Sequence, residues 1–414
     1  MRRRGATVAA IDVGSTKVAV VVGDLDHEGD LRITGYGVAP ASGLSRGVID
    51  NLQSAREAIE IAVKKAEQSS GLRIFNAVVG ISGGHISSQN HRGIIAIPNR
   101  ARPISEDDRD RVLEVAGNIA IPGNRQVLHV LPRGYWIEGT EPVSDPVGMY
   151  GSRLDAEAHI VTGALSAIQN LRQCVEAAGV HADEVVVESV AASLSAMHPD
   201  EREQGAVLVD IGGSNTSLAV YDEGAIAHTA CLPLAGSHMT KDLAQMLRCP
   251  WEAAEHLKVT YGSALPGAAL DRDTVEIESF GTSARKSVKL SFVAEVLQAR
   301  CEEILDAVVV ELKRTGYLDR LAAGIVFTGG ASELRNFAEF AEQRLGLPAR
   351  VGRPTSYSGL SDLIATPAYA TVVGLIEHAV QGPAVAVEGP APSYPSATGS
   401  LWQKLAAVGR ALRP

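Results

Sequence analysis

Two segments about half a chain apart follow one plan: Ala9-Ala-Ile-Asp12-Val-Gly14-Ser15-Thr16-Lys17-Val-Ala-Val20, and Val207-Leu-Val-Asp210-Ile-Gly212-Gly213-Ser214-Asn215-Thr216-Ser-Leu-Ala-Val220. Each is an apolar strand ending in an aspartate, a Gly- and hydroxyl-rich turn, and a second apolar strand, the pattern of a β-hairpin. A tip built of Gly, Ser and Thr presents backbone N–H groups and hydroxyls with no bulky side chain in the way, which suits phosphate oxygens. The strand-end aspartate repels phosphate but can hold the hydrated magnesium ion that travels with a nucleotide. A single copy is readily explained as an incidental turn, whereas two copies in the same order predict two related lobes clamping one nucleotide–metal complex.

The 414 residues allow two to four domain-sized units, and 45% apolar with 21% charged residues is an ordinary α/β composition. No uncharged apolar run reaches the roughly 18 residues a bilayer-spanning helix needs. Met1-Arg-Arg-Arg-Gly5 runs straight into the first strand without a secretory signal, which leads us to expect a cytosolic protein. Cys174, Cys231, Cys249 and Cys301 are widely spaced and read as reduced thiols rather than a zinc site. A net charge of −10 argues against nucleic acid as a partner.

Helical spacing of Leu52, Ala55, Ile59, Ala62, Val63 and Ala66 predicts a helix from Asn51 to Ser70, followed by a strand from Ala77 to Ile81. The style then changes to short, proline-interrupted segments, including Asp145-Pro-Val-Gly-Met-Tyr-Gly-Ser-Arg153, and we read 82–161 as an inserted subdomain. The first lobe (1–81 and 162–194) is expected to resume with a strand at Ala158–Thr162, a helix from Ser166 and a strand at Glu184–Glu188. Glu188 is followed by small residues that let a connecting helix approach a neighbour closely. The second lobe (195–235 and 290–381) carries a small subdomain at 236–289, and Gly324-Ile-Val-Phe-Thr-Gly329-Gly330-Ala331 reads as a buried strand opening a helix. That turn is either an adenosine site or a tight packing turn.

Residues 382–399 are rich in Pro, Ala, Gly and Ser and read as a flexible tether. Helical periodicity returns in 400–414, where Leu401, Leu405, Val408 and Leu412 form a stripe flanked by Trp402, with Lys404, Arg410 and Arg413 as the charges. A basic helix with a Trp-bearing apolar face suits the surface of an anionic membrane, and a helix docked on its own domain is the competing reading. Partial burial of the apolar face is worth on the order of 5–8 kcal/mol gross, most of it offset by ordering. One copy therefore binds weakly, and a polymer binds tightly.

The two hairpins and the Gly329-Gly330 turn resemble the actin and heat-shock-chaperone ATPase superfamily. Gly83-Gly-His-Ile-Ser87, Asp145-Pro-Val-Gly148 with Arg153-Leu, Gly359-Leu-Ser-Asp362, Ala370-Thr-Val-Val-Gly374-Leu and the amphipathic end resemble, within it, the FtsA family of bacterial cell-division proteins over nearly the full length. The resemblance implies an actin-like fold, two lobes around a nucleotide cleft with an inserted subdomain. It also implies an ATP-binding protein that polymerises on the cytoplasmic side of the membrane, tethers FtsZ through its C-terminal peptide, and meets other division proteins through the insertion. Carried over, Asp12 and Asp210 would hold Mg2+ through water, with Gly14, Ser15, Thr16, Lys17, Gly212, Gly213, Ser214, Asn215 and Thr216 on the phosphates. Gly236, Glu255, Lys258, Gly329, Gly330 and Ala331 would surround the adenosine. Glu188 matches a position that orients the attacking water, or else caps the following helix. Ser214 stands where the family has a third glycine, which puts fast hydrolysis in doubt. The alternatives are a small-molecule kinase of the same fold, with Asp145 as its one candidate base, and a relative that scaffolds pili or shape-determining filaments.

Overall fold

The computed structural model describes residues 7–25, 31–99, 101–267, 273–281, 285–355, 357–360 and 364–381. Strands β1 (Thr7–Val13), β2 (Lys17–Leu25) and β3 (Leu31–Pro40) form an antiparallel meander, and β6 (Asn76–Ile81) and β11 (His181–Val187) add in parallel on the β1 side. The two-residue β19 (Ser358–Gly359) closes the far edge, and β4 (Leu44–Ser45) and β5 (Val48–Ile49) form a separate hairpin. The second sheet repeats the scheme with β12 (Ala206–Ile211), β13 (Thr216–Asp222) and β14 (Ala225–Leu232) as the meander, and β17 (Gly324–Thr328) and β18 (Ala349–Val351) in parallel. Duplication is therefore present in topology as well as in the hairpin sequences.

Both faces of these sheets are covered, so their strands read as nearly continuous apolar runs. In β1, Ala9, Ile11 and Val13 face α1 (Leu52–Ser70), while Val8 and Ala10 face α10 (Ala370–Gln381). The α1 face is Ala55, Ala58, Ile59, Ala62, Val63 and Ala66, and Leu52, expected on it, is exposed. Asn51 caps α1 by accepting from the Ser54 amide, and Gly71 ends it in the left-handed conformation. On the second sheet, Val207, Val209 and Ile211 pack on the 26-residue helix α8 (Leu290–Thr315).

The lobes meet through α4 (Glu188–Ala196) and α10. A Cβ at Gly374 would sit 1.9 Å from the Ala191 carbonyl oxygen, so only glycine permits this crossing. Ser195 donates to the Ala370 carbonyl at 2.6 Å, and the Ser193 hydroxyl lies 2.6 Å from that of Tyr221. The run of small residues after Glu188 thus serves close approach between helices.

Between β6 and α3 (Leu165–Ala177) the chain makes a sheet in the order β7 (Ser87–Ala96), β10 (Arg153–Ala164), β8 (Arg125–Ile137), β9 (Pro142–Val143), with α2 (Glu106–Gly117) on one face. The strand expected at 158–162 as part of the first lobe is the end of β10 and pairs within this sheet, because its register with β7 and β8 runs on through Thr162. The short α5 (Pro199–Gln204) leads into β12, and α6 (Gly236–Leu247), α7 (Trp251–Tyr261) and the hairpin β15 (Thr274–Ile277)–β16 (Lys286–Lys289) follow β14. After β17 the double glycine opens a 3-10 turn at Gly330–Glu333 rather than an α-helix, and α9 (Phe337–Leu345) begins later.

Gly374→Ala is expected to push α10 off α4 and to lower unfolding stability by about 1–3 kcal/mol, read from the urea midpoint at unchanged slope. An unaltered midpoint would show that the helices part without cost.

Candidate functional site

The two hairpin tips close identically. The Gly14 amide donates to the Lys17 carbonyl and the Gly212 amide to the Asn215 carbonyl, each at 3.0 Å. Those two N–H groups are thus spent inside the turns, which leaves the amides of Ser15, Thr16, Gly213 and Ser214 to meet a ligand. The tips face each other so closely that a Cβ on Gly213 would lie 2.5 Å from the Thr16 methyl carbon. Position 214 is not in the left-handed region, so a serine there costs no backbone strain.

Between the tips lies a cavity of about 610 Å³. It is lined by Asp12, Gly14, Ser15, Thr16, Lys17, Glu188, Asp210, Gly212, Gly213, Ser214, Asn215, Gly236, Glu255, Lys258, Gly329, Gly330 and Ala331. The one exception among the residues assigned from sequence is Thr216, which is fully buried and donates its hydroxyl to the Leu234 carbonyl at 2.6 Å. It holds the hairpin to the approach to α6 and faces away from the cavity. Asp145 does not line the cavity; it sits in the insertion, where its carboxylate accepts the Val147 amide and lies 3.8 Å from Arg109. The tail residues Leu401, Trp402, Lys404, Leu405, Val408, Arg410, Leu412 and Arg413 fall outside the described residues.

Three carboxylates share this space. Burial drives the Asp12 carboxyl up to about 7, with Lys17 opposing and Asp210 adding to the rise. Burial likewise lifts Asp210 to about 6 against a 3.0 Å hydrogen bond from Thr371 and the pull of Lys17. Glu188 is pushed well above the usual carboxylate range by burial and by Asp12, although Ser82 hydrogen-bonds to it. Lys17 is shifted down by burial, and its ammonium lies 3.5 Å from the centre of the Tyr369 ring. A further positive charge beside Lys17 would favour the ionised form of these raised carboxyls. Among the described residues no three His, Cys, Asp or Glu side chains converge tightly enough to ligate one ion directly.

Glu188 opens α4, but the N-cap is Val187, which makes no side-chain capping bond, so the capping reading of Glu188 finds no support. Gly329, at φ +82°, packs against the second loop: a Cβ there would fall 2.2 Å from Asp210 Oδ1. The turn therefore packs and lines the cavity at once. On the far wall Lys258 donates to Glu255 at 2.7 Å, to Thr240 at 2.8 Å and to the Gly236 carbonyl at 3.2 Å. The amides of Gly236 and Ser237 donate to the carbonyls of Gly212 and Gly213, tying α6 to the second tip.

Gly47, Ser82, Ser237, Trp251, Val259, Pro367, Ala368 and Thr371 also line the cavity and escaped the sequence reading. A signal was available for two of them: Trp251 and Val259 lie one turn before and one turn after Glu255, on the helix face that also carries Lys258. Ser214→Gly is expected to leave nucleotide affinity within about twofold, because position 214 needs no left-handed backbone. Gly329→Ala is expected to weaken it at least about tenfold by forcing the Asp210 loop aside. Calorimetry on both variants checks the pair.

The sequence profile described as Cell division protein FtsA matches residues 207–374, and that of the SHS2 domain inserted in FTSA matches 83–162. The chain is 41% identical over 377 residues to the cell division protein FtsA of Pseudomonas aeruginosa, covering 91% of this chain and 90% of that protein. It is 33% identical over 378 residues to the FtsA of Escherichia coli, with 90% of each covered. Similar solved structures are the PilM-PilN type IV pilus biogenesis complex (TM-score 0.62, 16% identity, 89% of this chain and 97% of that one) and MreB5 of Spiroplasma citri bound to ADP (TM-score 0.55, 15% identity, 90% and 95%). These likenesses place the fold among the actin-like ATPases. With its duplicated lobes, its insertion and relatives of this identity along almost its whole length, the chain belongs to the FtsA family of cell-division proteins.

Proposed function

We propose that this protein is an ATP-binding, polymer-forming adaptor that links the division ring to the membrane. The observation that carries the reading is the cavity itself: two Gly/Ser/Thr tips in contact, three buried acids short of cations, and a glycine turn against the far wall. In this reading the amides and hydroxyls of Ser15, Thr16, Gly213 and Ser214 receive the β- and γ-phosphates, assisted by Lys17. Asp12 and Asp210 orient the waters of Mg2+, and Thr371 holds Asp210 in place. Glu255 and Lys258 meet the ribose, and Gly329, Gly330 and Ala331 lie under the base. Glu188 would accept a hydrogen bond from a water facing the γ-phosphate; hydrolysis is slow and regulatory, since an adaptor gains nothing from fast turnover, and ATP chiefly sets lobe closure.

The rest of the reading follows from the family and the tail. Copies of the chain polymerise, the filament carries the FtsZ C-terminal peptide, and the insertion at 82–161 recruits other division proteins. The helix at 400–414 lies in the anionic inner surface of the membrane on the 382–399 tether, making the protein peripheral. Among the described residues no helix is long and apolar enough to cross a membrane. A small-molecule kinase is not favoured by the family to which the chain belongs, and Asp145, the base offered by the insertion, does not line the cavity.

Asp12→Ala with Asp210→Ala is expected to weaken Mg2+-ATP binding by more than about tenfold, and EDTA to weaken wild-type binding in the same direction by leaving acids facing phosphate. Parent-like heats from the double variant would remove the cavity from the account. In liposome pelleting, the full chain should sediment with anionic vesicles and a chain ending at Gly399 should not; equal pelleting would remove the anchor.

A further inference from the structure

The inserted sheet turns one face to α2 and the other to the body of the protein. Register sets Ser88 beside Val161 and Asn90 beside His159, with Leu131 and His129 next along the same face. Leu131 and Val161 join the main core, so this is the inward face.

It grips both lobes. On the first, His129, fully buried, accepts the Val187 amide at 3.0 Å, at the residue immediately before Glu188. On the second, the target is β14, the edge strand of its sheet. Ser88 donates to the Thr229 carbonyl at 2.8 Å, and Asn90 Nδ2 donates to the Ala227 carbonyl at 3.1 Å. That leaves Asn90 Oδ1 as an acceptor, so His159 Nδ1, 2.6 Å away, must carry the proton. In the neutral ring His159 Nε2 is an acceptor and takes the Thr229 hydroxyl at 3.1 Å. Burial of His159, at 1% exposure, holds its pKa far below the ordinary histidine value, which agrees with a neutral ring. Arg133 reaches Glu157 at 2.8 Å and Asp222 of β13 at 3.6 Å along the same seam.

A subdomain whose chain emerges from the first lobe is therefore fastened to the second by directional hydrogen bonds. Such bonds fail over a few tenths of an ångström, unlike an apolar contact that slides. Rotation of the lobes about the α4–α10 crossing would shear this seam while separating the two hairpin tips. We propose that the Ser88–Asn90–His159–Thr229 seam is a latch between the lobes, made when the cleft is closed on its ligand and broken when it opens. This rests on the reading of the cleft as a nucleotide site. Coupling is reciprocal: if ligand closes the latch, an absent latch loosens the ligand by the same factor.

The test is amide hydrogen exchange on the full chain, with and without Mg2+ and a non-hydrolysable ATP analogue, for wild type, Thr229→Val and the milder Ser88→Ala. In wild type the analogue should slow exchange in 87–92 and 225–232 as well as in the two tips. In both variants, with far-UV circular dichroism unchanged, protection of 87–92 should be lost and analogue dissociation should quicken by about fivefold or more. Protected tips with an unresponsive seam, or variants that hold the analogue as wild type does, would overturn the latch alone. A wild type in which calorimetry detects no analogue binding would overturn the nucleotide reading and the latch with it.

Discussion

A cluster of buried acids, each pushed toward its protonated form, organises this molecule. Asp12 and Asp210 end two strands that belong to different sheets and share Lys17 as a cation, and Glu188 begins the helix between the lobes. Desolvated carboxylates this close cost free energy that folding alone has no reason to accept. The surrounding structure works to keep them there. Thr371 reaches from the start of α10 to Asp210, Gly329 brings a backbone turn against the same carboxylate, and Gly374 lets α10 lie against the helix that Glu188 opens. A divalent cation arriving with a polyphosphate would stabilise the ionised forms of these acids, which gives a physical reason for two lobes to close on such a ligand.

Much of this was legible in the chain because the hairpins are written twice. Strand, aspartate, glycine turn and strand are local patterns, and local patterns survive into the fold. The helix from 52 to 70 was legible for the same reason, as was the glycine turn after the strand at 324–328. Features that depend on residues distant in sequence were not. Thr371 sits in the Ala370–Gly374 run, which marks the family without saying what its residues touch, and Tyr369 stands just before it, so only packing reveals that they meet Asp210 and Lys17. Thr216 looked like one more hydroxyl in a phosphate loop, yet the hairpin turns it inward to Leu234. Gly14 and Gly212 proved to use their own amides to close the turns. The end of β10 read as a short lobe strand because a twelve-residue strand inside an insertion has no local mark of which sheet it joins.

The insertion changes how the fold should be pictured. Two lobes joined by a pair of helices would be a simple hinge. Here a third sheet lies across the joint, holding the backbone beside Glu188 on one side and an edge strand of the second lobe on the other. Its outward face, built on α2, is therefore mechanically connected to the cavity. For a cell-division protein whose surface meets other molecules, that offers a route by which an event in the cleft could alter the outer surface with no change in the insertion's own fold.

The central claim is that the two tips and their aspartates grip one nucleotide, and the most direct measurement is a crystal structure of the full chain grown with Mg2+ and a non-hydrolysable ATP analogue. The account predicts density for the β- and γ-phosphates between Ser15–Lys17 and Gly213–Asn215, with the waters of the metal on Asp12 and Asp210. Phosphates lodged elsewhere, or tips that stay empty at saturating analogue, would contradict it.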